Sequence, residues 1–358
     1  MADDARVVQR FTAAQDALVL QASDLSLETI AAMVDSQAID VSPQFQRRER
    51  WDISRQSMLI ESFLMNIPVP PVYLSEDDFG RYSVIDGKQR ITAIHEYMRG
   101  KFALSMLVRF PELNGYKFAQ LPQQLRNALL VRPYIRAVTL LRQSDLQTKY
   151  EVFHRLNSGG EPLNAQEIRN VLYRGPLNDL LVQLSAAPFL RRQLKIRDTK
   201  SHAYRAMTDI EFVLRYLTLK ETWQNFSGDF RWSMDLYMEV HQSPGDDELS
   251  AIGAQFNRAL GTCENLWGVH AFKRPEKDGW RDQALAGMYD TQMVAASLLS
   301  DDEIRVLSAA KDELVHATRQ LFLDDEEFDA AVRVATNTPT RVRYRIGRLL
   351  DTMRELAR

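Results

Sequence analysis

The chain has 358 residues, 45% of them hydrophobic and 26% charged, with a formal net charge of -3. That is the composition of an ordinary globular chain long enough for two cores, and its near-neutral balance excludes a protein that binds nucleic acid through global positive charge alone. A single cysteine, Cys263, excludes an intrachain disulfide framework and a cysteine-built metal cage, and leads to the expectation of a reducing, cytoplasmic compartment.

No apolar run approaches the ~18 residues that a membrane span needs, so no membrane partner is expected. The opening MADDARVVQRFTAAQDALVL has no signal-peptide pattern, and residues 1–24 are expected to form an amphipathic arm or short helix. SLETIAAMVDSQAIDV predicts a helix capped by Ser26, then a strand near Ile39–Val41. ISRQSMLIESFLMN predicts a helix, IPVPPVYL a proline-restricted entry into a strand, and YSVID the strand that returns after the turn SEDDFGR. A helix over 87–98 follows, ended by Gly100.

KFALSMLV and the more β-branched YIRAVTLL (134–141) are both expected as strands. SDLQTKYEVFHRLNSGG predicts a helix capped by Ser144, and NAQEIRNVLYRG a further helix in which Asn164 and Glu167 form a capping box. Beyond residue 175 only helical periodicity remains, ending in PTRVRYRIGRLLDTMRELA, with Pro339 in the first turn and Val342, Ile346, Leu349, Leu350 and Met353 on one face. The expected fold class is therefore α+β: a small α/β core over 25–175 and an all-helical domain over 176–358, with the boundary lying in the interval 174–190.

The chemistry concentrates in VIDGKQR. A strand that ends in Asp86-Gly87 and opens a helix presents backbone amides at the positive end of the helix dipole, which suits an anion. Gly87 lets a phosphate approach closely, Lys88 and Arg90 add charge, and Gln89 could orient a water or read a base edge. Asp86 either caps the helix or holds a metal ion, since a bare carboxylate repels phosphate. Gln46 and Arg47 in PQFQRRERW, and Asn157, Ser158, Gln166, Glu167 and Arg169 in FHRLNSGGEPLNAQEIRN, offer further polar groups of the same kind. Each stretch also has a purely structural reading as a capped turn with solvated cations.

These three stretches, in this order, resemble the DGQQR-motif domains of the ParB/sulfiredoxin-like superfamily, which form the N-terminal part of restriction proteins of the GmrSD type. QRRERW, LIESFLMNIPVPPVYL, VIDGKQRITAI and FHRLNSGGEPLNAQEIRN carry the resemblance over about residues 40–175. It implies a ParB-like core that binds and hydrolyses a nucleoside triphosphate, or cuts DNA, in phage defence. On that reading Asp86, Gln89 and Arg90 are catalytic, with Asp86 holding Mg²⁺. Gln46, Arg47, Gly87, Lys88, Arg90 and Asn157 bind phosphate or nucleotide, and Ser158, Gln166, Glu167 and Arg169 support them. Lys88 departs from the family glutamine, which weakens the case for catalysis more than for binding, because lysine cannot accept a hydrogen bond. The alternative is a non-catalytic ParB-like module that binds DNA or nucleotide and works with a separate nuclease subunit, because no His-Asn-His context surrounds any of the six histidines.

In the helical half, Trp223, Phe226, Phe230 and Trp232 are expected to pack helices together, and Cys263 to be a core residue. Arg341, Arg345 and Arg348 form a stripe that could follow a DNA backbone. It could equally pair with the segment 299–329, which holds ten acidic against three basic residues, or form a contact in a homo-oligomer.

Overall fold

The computed structural model describes residues 2–41, 51–144, 146–156, 164–277 and 279–358, and the chain divides into two compact units, residues 1–172 and 173–358. The segment read as an arm forms helix α1 (Ala2–Asp16) and most of strand β1 (Leu20–Ser26). Helix α2 (Leu27–Asp35) follows, and the Ser26 hydroxyl accepts the Thr29 amide at 3.1 Å as its sequence position predicts. Strand β2 (Ile39–Asp40), helix α3 (Ile53–Leu64), strands β3 (Val72–Asp78) and β4 (Arg81–Asp86) and helix α4 (Lys88–Met98) come next. Helix α5 (Gln123–Val131), strand β5 (Tyr134–Leu140) and helices α6 (Leu146–Leu156) and α7 (Ala165–Leu172) complete the unit.

The five strands form one mixed sheet in the order β1-β5-β3-β4-β2. β1 runs antiparallel to β5 and β3 antiparallel to β4, while β3–β5 and β2–β4 are parallel. Alternation along the strands sends side chains to two helical layers. Val72, Leu74 and Val84 join the larger core built on Leu27, Ile60, Ile91 and Leu129 from α2, α3, α4 and α5. Tyr73, Ile85 and Leu140 turn the other way, toward Val152 of α6 and Ile168 and Val171 of α7.

The expected strand in 101–108 does not form. Met106 takes φ +58°, outside the extended region; the Leu104 amide goes to the Tyr116 carbonyl, and several following amides go to side chains instead of a sheet partner. Ser105 N–H donates to the Ser57 hydroxyl, Leu107 N–H to Asn114 Oδ1, and Arg109 and Phe110 N–H both to the buried Glu61 carboxylate. Apolar Phe102, Leu104 and Leu107 are nevertheless in the core, so their hydrophobicity was a packing signal without a strand behind it. Ser144 likewise serves a different partner: its hydroxyl accepts from Val19 N–H and donates to Val19 carbonyl, tying the approach to β1 to the end of β5.

The second unit is helical apart from a two-residue ladder, β6 (Pro275–Glu276) with β7 (Gly279–Trp280), which periodicity alone did not reveal. Its helices are α8 (Pro176–Ser185), α9 (Pro188–Gln193), α10 (His202–Arg205), α11 (Thr208–Thr222), α12 (Phe230–Val240), α13 (Asp246–Trp267), α14 (Ala286–Ser297), α15 (Asp301–Ala309), α16 (Lys311–Asp324), α17 (Glu326–Arg333) and α18 (Pro339–Leu356). α14 is buried on every side, and α11, α13, α17 and α18 pack against it. Cys263 is fully buried, and burial pushes its thiol well above the usual range. Phe226 and Phe230 pack together with ring centroids 4.5 Å apart, whereas Trp232 is exposed.

The centre of this unit is ionic. Asp290 on α14, fully buried, accepts two hydrogen bonds from Arg215 of α11 at 2.6 and 2.8 Å, and one from Arg345 of α18 at 2.8 Å. Arg345 also donates to the carbonyls of Ala331 and Thr336, and the Arg215 guanidinium lies 3.6 Å from the centre of the Phe230 ring. Removing one member of such a group strands the other charges in a low-dielectric interior. Asp290→Ala is therefore expected to lower unfolding free energy by about 3–5 kcal/mol in urea denaturation, the range for breaking a buried pair. A loss below about 1 kcal/mol would mean that water or a repacked side chain already serves the two arginines.

Candidate functional site

The junction between β4 and α4 is built around one missing side chain. Gly87 takes φ +96°, and a Cβ there would stand 2.5 Å from Val72 Cγ1 and 3.0 Å from Arg90 Nη2. Only glycine meets both demands, a left-handed backbone and contact with β3. No side chain caps α4, so Asp86 is not its N-cap. The Asp86 Oδ2 instead accepts Arg90 Nη2 at 2.7 Å, one helical turn on, while the same Nη2 reaches the Pro71 carbonyl at 3.2 Å. Arg90 Nε is buried and meets no acceptor among the described residues. Lys88 is half-buried beside this pair.

Gln89 has a structural partner. Its Oε1 accepts the Trp51 amide at 3.0 Å, and Gln56 Nε2 donates to the Trp51 carbonyl at 3.0 Å. Two glutamines from α4 and α3 thus grip the main chain where the arginine-rich stretch of the sequence ends, and the Arg55 guanidinium lies 5.4 Å from the Trp51 ring centre. Gln46 and Arg47 belong to residues 42–50, and Asn157 and Ser158 to 157–163, which lie outside the described residues.

The rest of the second block is described, and it is internal. Asn164 and Glu167 cap α7 reciprocally, the Asn164 amide donating to Glu167 Oε2 at 2.7 Å and the Glu167 amide to Asn164 Oδ1 at 2.9 Å. Gln166, Arg169 and Asn170 are fully buried, and Gln166 Nε2 donates to Asn170 Oδ1 at 2.9 Å. Asn170 was missed from sequence, although its i+4 spacing from Gln166 was the available signal. α7 packs on β4, with Ile168 and Val171 against Ile85, the residue next but one before Gly87. So the structure brings Asp86, Gly87, Lys88, Gln89 and Arg90 to the end of β4, against a helix rich in buried polar groups. Such groups are costly to bury unless each finds a partner.

Arg341, Arg345 and Arg348 do not form a surface stripe. Arg345 is fully buried on Asp290, Arg341 donates to the Val334 carbonyl at the end of α17, and Arg348 Nε meets Asp325 Oδ2 at 3.1 Å. Burial pushes the Asp325 carboxyl up, but the Phe328 amide, the Tyr344 hydroxyl and Arg348 together hold it below the usual range. Of the three arginines, only Arg348 pairs with the acidic segment 299–329, which also takes Arg354 through Glu303 at 3.4 Å; Arg341 and Arg345 are held by main-chain carbonyls and Asp290.

Among the described residues no group of three or more His, Cys, Asp or Glu side chains gathers to hold a metal ion. Asp86, the residue expected to hold Mg²⁺, has the Arg90 guanidinium on its Oδ2. No described helix is long and apolar enough to cross a membrane.

The Gly87 geometry sets a stability test. Gly87→Ala is expected to cost about 2–4 kcal/mol, from the left-handed backbone and the overlap with Val72. In a double-mutant cycle with Val72→Ala the two losses should be less than additive, because the smaller residue removes the clash. Strict additivity in chemical denaturation would contradict the close contact.

The family model of the GmrSD restriction endonuclease N-terminal domain matches residues 30–174, which take in the β4–α4 junction and α7. No curated protein and no solved structure matches the chain. Residues 30–174 are a domain of the GmrSD N-terminal-like family.

Proposed function

We propose that the chain is a restriction-type phage-defence protein whose first unit recognises the phosphates of a nucleoside triphosphate at the β4–α4 junction. The family match supports the defence setting. The observation that carries the phosphate reading is the Gly87 turn, which sets the uncapped end of α4 beside Lys88 and Arg90. The helix dipole and a guanidinium act on the same small volume, and Arg90 keeps one buried donor, Nε, with no acceptor among the described residues. Asp86 anchors Arg90, so it is a positioning residue in this reading. Any Mg²⁺ would arrive on the triphosphate, and no step is assigned to it.

Hydrolysis requires a group that orients water, the role open to Gln89 in the sequence. Its hydrogen bond to Trp51 favours a second reading, a binding module that reports nucleotide to a separate nuclease or to DNA without turnover. Binding of the nucleotide would then act on Trp51 and the residues before it through Gln89. DNA and a partner subunit belong to this proposal through the family alone.

The two readings separate in one set of assays on the full chain. Equilibrium binding of ATP, GTP and CTP is expected to weaken about tenfold or more in Arg90→Ala, the loss expected for a charge-assisted contact to phosphate. Phosphate release above background in wild type, lost in Gln89→Ala while binding persists, supports turnover. Binding without release supports the regulatory reading. Absence of binding for all three nucleotides overturns the assignment of this junction to triphosphates.

A further inference from the structure

The second unit contains an anion pocket that neither the family match nor the first unit predicts. A cavity of about 320 Å³ opens between the β6–β7 hairpin, the start of α14 and the end of α17. Arg274, Arg281 and Arg333 line it together with Gly287, Val332 and Thr336, and among the described residues no acidic side chain does. Three guanidiniums in one concavity repel one another, so the arrangement must be held by the fold or satisfied by a ligand.

The fold neutralises only one of them. Arg333 pairs with Asp329 on its own helix. Among the described residues Arg274 and Arg281 have no ion pair and no side-chain hydrogen bond. Asp282, next to Arg281 in sequence, is taken by Lys273 at 2.8 Å and Lys195 at 3.0 Å, and those two ammonium groups hold its carboxyl down at about 2. The hairpin that carries Arg274 and Arg281 is itself braced by Arg319, which donates to the carbonyls of Glu276 and Lys277 at 3.1 and 3.0 Å. Gly287 brings the α17 backbone close, since a Cβ there would stand 2.5 Å from the Val332 carbonyl oxygen. α14 is 12 residues long and no side chain caps it. Its dipole adds to the two cations and is opposed by the carbonyl end of α17, so the positive character of the pocket comes from the guanidiniums themselves.

We propose that this pocket binds the phosphate of a nucleotide-sized ligand, with Arg274 and Arg281 gripping the phosphate oxygens and Arg333 at the rim. Guanidiniums match phosphate by paired, planar hydrogen bonds, and a volume near 300 Å³ is of the size of one nucleotide unit. The ligand is either a free nucleotide or a single nucleotide presented by a DNA strand. The proposal is independent of the β4–α4 junction.

The test uses the full chain and isothermal titration with AMP, dTMP, inorganic phosphate and a short single-stranded DNA. Wild type is expected to show a binding component that weakens about tenfold or more in Arg274→Gln/Arg281→Gln and is unchanged in Arg90→Gln. Saturation by the monophosphates identifies a free nucleotide, and saturation by the oligonucleotide alone identifies a DNA strand; both support the pocket. Phenylglyoxal labelling of wild type, read by peptide mass spectrometry, covers the case in which the double variant misfolds: the saturating ligand should protect Arg274 and Arg281. Binding that survives in a folded double variant, binding lost only with Arg90→Gln, unprotected arginines, or no binding of any of the four overturns the proposal.

Discussion

Everything at the end of β4 where α4 begins depends on the contact between Gly87 and Val72. A strand cannot turn directly into a helix against its neighbour if the turning residue carries a side chain that collides with that neighbour. Because Gly87 has none, α4 begins in direct contact with Val72 of β3, where a Cβ would overlap it, and its first turn lands on three different partners. Arg90 reaches back to Asp86 and Pro71, Gln89 reaches Trp51, and Ile91 enters the core. One vacant position thus coordinates β3, β4, α4 and the start of α3, and the chemistry of the signature is inseparable from its packing.

The second unit solves a different problem, the burial of charge. α14 has no polar face, so Asp290 on it cannot turn toward water. Two arginines from helices far apart in sequence converge on it, two main-chain carbonyls and the Phe230 ring meet part of their remaining polarity, and Arg345 Nε is buried with no acceptor among the described residues. The group leaves a formal excess of positive charge inside, which burial opposes: Arg345 is held below the usual guanidinium range despite its contact with Asp290. Such an arrangement specifies which helices meet more than it strengthens their meeting.

Much of the first unit was legible because its signals were local. Ser26, the Asn164–Glu167 box, the β3–β4 hairpin and the β-branched β5 each follow from rules that span a few residues. What failed depended on partners distant in sequence. The 101–108 segment has strand-like composition, but its Ser105 and Leu107 amides go to the Ser57 and Asn114 side chains and its Leu104 amide to the Tyr116 carbonyl, partners that the strand-like pattern does not reveal. Arg345 follows the spacing of a surface arginine, yet its position on the helix turns it toward Asp290, 55 residues away. The signature residues were found as a group, whereas the tie from Gln89 to Trp51 was invisible, because nothing in either stretch reports the other. The arginines of the α14 pocket escaped for the same reason: they are scattered over three elements and join only once α17 closes on Gly287.

The place of Arg345 on the final helix of its unit has a bearing on biosynthesis. The first unit can finish as soon as α7 has emerged from the ribosome, since all five strands lie before it. In the second, Arg215 and Asp290 are translated well ahead of Arg345, so the nascent helices must wait, with one cation still missing from their centre, until α18 arrives. Closure of the second unit's ionic centre is therefore tied to the last of its helices to be made, whereas the sheet of the first unit needs nothing beyond α7.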